Sequence, residues 1–146
     1  MINKEVFVVV VTFNGMPWIK KCFDSLINSS IPLQILVVDN ASNDETCQYI
    51  KQNFVNIELI ETGINLGFGK ANNIGLQKAL EKKVDYVFLL NQDAWVGEHC
   101  IEKLIHYRES NLNFSLLSPY HLNYDGKGTE FYFEKYILQH YTKNYN

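Results

Sequence analysis

Short apolar runs and helix-period segments alternate along the first three quarters of the chain. Val6 to Val11 is continuous, mostly β-branched and six residues long, the pattern of a strand buried on both faces. Pro17 can open a helix, and Ile19, Cys22, Phe23, Leu26 and Ile27 then recur at i, i+3, i+4, i+7 and i+8. Ile35 to Val38 is a second apolar run that stops at Asp39-Asn40. Ser42 with Glu45 three residues on reads as a capping box, opening a helix that turns Cys47 and Ile50 inward. A short strand is expected around Ile57 to Ile60, followed by a glycine-rich turn from Gly63 to Gly69. The next helix carries Ala71, Ile74, Gly75 and Ala79 on one face. Val87 to Leu90 predicts a buried strand, Ile101, Leu104 and Ile105 a helix, and Phe114 to Leu117 a fifth strand. Strands separated by helical segments predict an α/β fold: a mostly parallel sheet with helices on both faces.

From Pro119 the alternation stops. Eight of the last 28 residues are aromatic (Tyr120, Tyr124, Phe131, Tyr132, Phe133, Tyr136, Tyr141 and Tyr145), and Asp125-Gly126 signals a hairpin between Tyr120–Tyr124 and Thr129–Phe133. The division expected is a domain over residues 1–118 followed by a hairpin and aromatic tail over 119–146. So much aromatic surface either packs on the domain or meets a partner or a second copy.

Composition narrows the classes. The 146 residues are 47% hydrophobic and 20% charged, enough apolar content for a core. A net charge of −3, with no Lys or Arg run longer than two, disfavours nucleic acid as a partner. Cys22, Cys47 and Cys100 are odd in number, widely spaced and without a CxxC pair, which excludes a disulfide framework and fits packing residues in a reducing cytosol. The longest apolar run falls far short of the roughly 20 residues a spanning helix needs, and it passes into Thr12-Phe13-Asn14-Gly15 with no cleavage site. The expectation is a cytoplasmic domain, held at the inner face of a membrane only through a partner.

In an open parallel sheet ligands bind beyond the carboxyl ends of the strands. Four polar segments fall there: Thr12-Phe13-Asn14-Gly15, Asp39-Asn40-Ala41-Ser42, Gly63 to Asn73, and Asn91-Gln92-Asp93. Any one of them could simply end a strand; four at one edge point to a site. A carboxylate at Asp93 is compatible with substrate phosphates only through a cation, in the style of Mg²⁺ bound by one carboxylate and phosphate oxygens. As a strand-end Asp capping the next turn it has an equally plain explanation. Gly67-Phe68-Gly69 before a helix suits a nucleotide or a sugar, but it lacks the third glycine of a dinucleotide fingerprint and follows the third strand. No P-loop, no Gly-x-Ser-x-Gly elbow and no acidic pair of a phosphorelay receiver is present. His99 and His106 read as surface residues.

Together, Val9-Val10-Val11-Thr12-Phe13-Asn14, Val37-Val38-Asp39-Asn40-Ala41-Ser42-Asn43-Asp44, Asn65 to Gly75, and Phe88-Leu89-Leu90-Asn91-Gln92-Asp93-Ala94 resemble, in order and spacing, the family-2 glycosyltransferases of the GT-A fold, and most nearly their rhamnosyltransferase-like branch. The resemblance covers roughly residues 6–126. It implies a UDP-, dTDP- or GDP-sugar donor across the sheet edge and a saccharide or lipid-linked acceptor in cell-surface glycan synthesis, with inversion. By position, Thr12, Phe13 and Asn14 would line the base pocket, and Asp39 or Asn40 would contact the base. Asn65, Gly67 and Asn72 would approach ribose and diphosphate. Asn91-Gln92-Asp93 stands at the family's metal motif, with Asp93 as ligand for Mg²⁺ or Mn²⁺ and Asn91 in place of the first acid. The family's catalytic base lies later in the chain; Glu130 and Glu134 do not match its context. The rival expectation is a non-catalytic nucleotide-binding module that kept the fold.

Overall fold

A computed structural model describes residues 4–140. Four parallel strands form one sheet in the order β3-β2-β1-β4: β1 Val6–Thr12, β2 Gln34–Asp39, β3 Glu58–Glu61 and β4 Tyr86–Asn91. β1 sits in the middle and all seven of its residues are buried. Its alternate side chains feed two cores. Val6, Val8 and Val10 face helices α1 (Ile19–Ile27), α2 (Thr46–Asn53) and α4 (Cys100–Ser110) through Ile19, Phe23, Ile50 and Ile101. Phe7, Val9 and Val11 face α3 (Phe68–Lys82) through Ala71 and Ala79. The expected two-faced α/β layering is therefore present, with one helix on one side and three on the other.

The register brings the strand ends level. Thr12 lies beside Asp39, Val11 beside Asn91, and Asp39 beside Glu61. The chain steps from β1 through β2 to β3, then returns to the other side of β1 as β4. Connections therefore diverge between β1 and β4, the switch point where a ligand crevice opens in such sheets.

The chain falls into two compact units that divide between Ile105 and His106. The second departs from the sequence expectation. Phe114 to Leu117 forms no strand, although its apolar run is of strand length; Phe114 and Leu116 stay exposed, and without a buried face an apolar run has nothing to fix it as a strand. Around Asp125-Gly126 the chain does turn, with Gly126 at φ 71°, but the expected hairpin reduces to one antiparallel bridge, Leu122 to Thr129. Its second arm is the start of helix α5, Phe131–His140. Glu130 explains why: its carboxylate accepts the Phe133 N–H at 2.8 Å, capping the helix, and backbone N–H donors from Tyr132 and Phe133 hold it below the usual carboxylate range. Tyr141 and Tyr145 lie outside the described residues.

Candidate functional site

The loops after β1 and β2 are stitched together around one carboxylate. Asp39 is 2% exposed. Its Oδ1 accepts the Thr12 hydroxyl at 2.8 Å and the Ser42 hydroxyl, and its Oδ2 accepts the Ser42 N–H at 2.9 Å. The Ser42 hydroxyl oxygen in turn accepts the Asn14 N–H, while Asn14 Oδ1 accepts the Asn43 N–H, both at 2.9 Å. Two non-glycine residues take left-handed backbone here, Asn14 at φ 50° and Ala41 at φ 67°. Asn accepts that conformation readily; Ala does not, and the bonds on either side hold it.

Ser42 thus serves Asp39 rather than the expected capping box. α2 begins four residues later at Thr46, whose N–H and hydroxyl both donate to Asp44. Burial pushes the Asp44 carboxyl up, but the hydrogen bonds from Thr46 and Met16 outweigh it and hold the group below the usual range.

Asn40, 4% exposed, performs the corresponding task toward the loop after β3. Its Oδ1 accepts the Leu66 N–H at 2.7 Å and its Nδ2 donates to Asn65 Oδ1 at 2.9 Å. Asn65 Oδ1 also accepts the Gly67 N–H. Gly67 precedes α3 at φ 81°, a backbone that a side chain would strain, and its carbonyl accepts the first helical bond from Ala71.

These loops line an open cavity of about 420 Å³, within the range of small-ligand sites, at the end of β1 and β4. All four strand-end segments contribute: Val11 and Phe13, then Asn40, then Asn65, Gly67 and Phe68, and finally Asn91, Gln92 and Asp93. Of the residues expected from sequence, Phe13, Asn40, Asn65, Gly67, Asn91 and Asp93 meet there. Thr12, Asn14 and Asp39 do not line it but bond the loops after β1 and β2 to each other, and Asn72 donates to the Phe68 carbonyl within its own helix at 3.0 Å. Phe68, Val11 and Gln92 stood within the motifs read from the sequence but had no role assigned to them. Phe68 had a signal, a large apolar residue between two glycines, and it stands 58% exposed in a cavity that Phe13, at 42%, also lines.

Asp93 accepts no hydrogen bond and pairs with no cation among the described residues. Nor do those residues bring three metal-ligating side chains together anywhere. One exposed carboxylate without a protein partner is the donor set that suits a hard divalent cation completing its shell from phosphate and water, and it does not suit a closed all-protein metal site. The cysteines stay with packing. Burial first, then the charge of Asp93, push the Cys22 thiol up to about 12, and burial with the nearby Asp39 carboxylate does the same for Cys47. Burial raises Cys100 as well. Such thiols are protonated and unreactive at neutral pH. His99 pairs with Glu102 at 2.9 Å. No helix among the described residues is long and apolar enough to cross a membrane.

Comparison with known proteins agrees with this geometry. Residues 7–144 match the model of Glycosyl transferase family 2. The N-acetylglucosaminyl-diphospho-decaprenol L-rhamnosyltransferase of Mycobacterium tuberculosis is 32% identical over 107 residues, covering 67% of this chain and 35% of that protein. The dTDP-rhamnosyl transferase RfbF of Shigella flexneri is 31% identical over 128 residues, 84% of this chain and 40% of that one. The chain thus spans little more than a third of the length of these relatives. Among solved structures, S. aureus TarS 1-349 in complex with UDP-GlcNAc superposes at a TM-score of 0.66 with 23% identity, over 74% of this chain and 32% of TarS 1-349. The mannosyltransferase PcManGT from Pyrobaculum calidifontis, in complex with GDP-Man and Mn²⁺, does so at 0.65 with 24% identity, over 72% and 32%. The family match over nearly the whole chain and the level strand ends agree: the chain belongs to glycosyl transferase family 2 and has its GT-A-like α/β fold.

Proposed function

We propose that the cavity binds the nucleoside diphosphate of a sugar donor, UDP-, dTDP- or GDP-linked, for inverting transfer to a saccharide or lipid-linked acceptor in cell-surface glycan synthesis. In this reading residues 1–118 hold the donor, and 119–146 begin the acceptor region, in the cytoplasm at the inner membrane face. The observation that carries it is the cavity itself: four strand-end loops converge there, with aromatic surface at Phe13 and Phe68 and an unpartnered carboxylate at Asp93. Asn40 rather than Asp39 is the base contact, because Asn40 lines the cavity and Asp39 does not. Asn65, Gly67 and Asn91 face the ribose and diphosphate.

A Mg²⁺ or Mn²⁺ ion on Asp93 would supply Lewis-acid stabilisation of the charge that builds on the departing diphosphate. Asp93 is the sole carboxylate among the nine cavity-lining residues, so a metal there leaves none of them as the base for the acceptor hydroxyl. That favours a second reading for these residues taken alone: donor binding without transfer.

Thermal-shift titration with UDP, dTDP and GDP, with and without Mn²⁺, tests the proposal on wild type and Asp93→Ala. Ligand at about 100 times its dissociation constant adds roughly 2.7 kcal/mol, and a chain of this size gains about 3 °C per kcal/mol. A metal-dependent rise of several degrees with one nucleotide, lost in Asp93→Ala, is expected. A rise that survives the substitution removes Asp93 from the site; no rise with any of the three contradicts the donor reading.

A further inference from the structure

At the switch point the ladder between β1 and β4 ends with Val11 beside Asn91. Beyond it the two chains diverge, yet the next peptide groups are not left to water. Gln92 Oε1 accepts the Phe13 N–H at 2.9 Å, and Gln92 Nε2 donates to the Phe13 carbonyl at 3.1 Å. A side-chain amide thus takes the place that a backbone amide would hold in a continued sheet. The pairing fixes the orientation of the amide, since the Phe13 N–H can only donate and its carbonyl can only accept. Gly15 makes room for it: a Cβ there would stand 2.6 Å from Gln92 Oε1. The clamp joins the segment carrying Phe13, one wall of the cavity, to the residue immediately before Asp93.

We infer that Gln92 is a positioning residue: its amide, closed on both polar groups of the Phe13 backbone, holds the Phe13 wall at a fixed distance from the Asp93 corner. This rests on the donor-site reading above. A nucleoside diphosphate would touch both places at once, so holding them in register raises the effective concentration of one contact once the other is made. Inorganic pyrophosphate with Mn²⁺ would touch only the Asp93 corner and gain nothing from the clamp. A merely structural role for Gln92 has no reason to separate the two ligands.

Calorimetric titration of wild type, Gln92→Leu and Gln92→Glu tests this, with Mn²⁺–UDP, Mn²⁺–dTDP or Mn²⁺–GDP, whichever wild type binds, and with Mn²⁺–pyrophosphate. Gln92→Leu removes both bonds. It is expected to weaken the nucleotide about tenfold while leaving pyrophosphate within about twofold. Gln92→Glu keeps the acceptor for the Phe13 N–H but sets a carboxylate oxygen against the Phe13 carbonyl, so its nucleotide affinity is expected between the two. Both positions are partly exposed, and unfolding midpoints recorded alongside verify that the variants fold. Nucleotide affinity within about twofold of wild type in Gln92→Leu overturns the inference. So does an equal loss for both ligands, which would place the effect in the Asp93 corner or the fold. Wild type that binds none of the nucleotides fails the donor-site reading itself and takes the inference with it.

Discussion

Asp39→Ala is expected to lower the unfolding midpoint by about 10 °C, more than any other single change at the strand edge. The carboxylate is buried and receives three donors, from Thr12 and twice from Ser42. Hydrogen bonds to a charged acceptor are each worth about 1.5 kcal/mol or more, and removing the acceptor strands its donors, so the gross loss is roughly 4 kcal/mol. Releasing Ala41 from its left-handed backbone returns about 1 kcal/mol. The net of about 3 kcal/mol is a large part of the 5–15 kcal/mol typical of a domain. Asp39→Asn should recover only part of this. Its single oxygen can serve the two hydroxyls, but its NH₂ then faces the Ser42 N–H, donor against donor. A midpoint within 3 °C of wild type for Asp39→Ala would show that the Thr12–Asp39–Ser42 network is not what holds the edge together.

Two glycines on α3 should respond in opposite directions to the same substitution. A Cβ at Gly75 would overlap both methyls of Val9, the farther at 2.7 Å, and Val9 is fully buried on the central strand. Being β-branched, Val9 has little rotamer freedom to move aside. Overpacking of this kind costs about 3 kcal/mol, against about 1 kcal/mol gained in helix propensity. Gly75→Ala is therefore expected to lose about 2 kcal/mol, near 6 °C. Gly69, the second residue of the same helix, has nothing within 4 Å of its Cβ position and no positive φ. Gly69→Ala should raise the midpoint by about 2 °C through propensity alone. Adding Val9→Ala to Gly75→Ala should be less damaging than the two effects summed, because the first vacates the space that the second fills. Strict additivity would contradict the contact. The close approach also has a positional consequence, since α3 carries Gly67 and Phe68 to the cavity and its distance from β1 sets where they stand.

Much of the fold was legible because periodicity reports burial directly. Val6 to Val11 had to be a strand buried on both faces, and Ile19, Cys22, Phe23, Leu26 and Ile27 had to share a helix face; all of these except Ile27 are buried in the structure. Legibility failed where a competing hydrogen bond decided the outcome. Ser42 and Glu45 have the spacing of a capping box, but Asp39 takes the Ser42 hydroxyl, so the helix waits for Thr46. Thr129 to Phe133 has the composition of a strand, but Glu130 caps it into a helix. The site divided in the same way. Position along the sheet edge was enough to bring Phe13, Asn40, Asn65, Gly67, Asn91 and Asp93 to one cavity. It could not say which polar side chains face the cavity and which face each other. Thr12, Asn14 and Asp39 belong to a network whose bonds between the two loops span 27 to 29 residues in sequence, and Gln92 reaches back 79 residues to Phe13. Those pairings follow from strand register, which no local pattern encodes.

The central claim is that a nucleoside diphosphate and a divalent ion meet between Phe13, Asn40 and Asp93. Paramagnetic broadening by Mn²⁺ in the amide spectrum of the ¹⁵N-labelled chain reads this directly. In the presence of the nucleotide that stabilises the protein, the amides of Asn91, Gln92, Asp93 and Ala94 are expected to broaden first, with shifts at Phe13, Asn40 and Gly67. Broadening centred on another acidic cluster, such as Glu98 and Glu102, with Asp93 and its neighbours still sharp, would contradict the account.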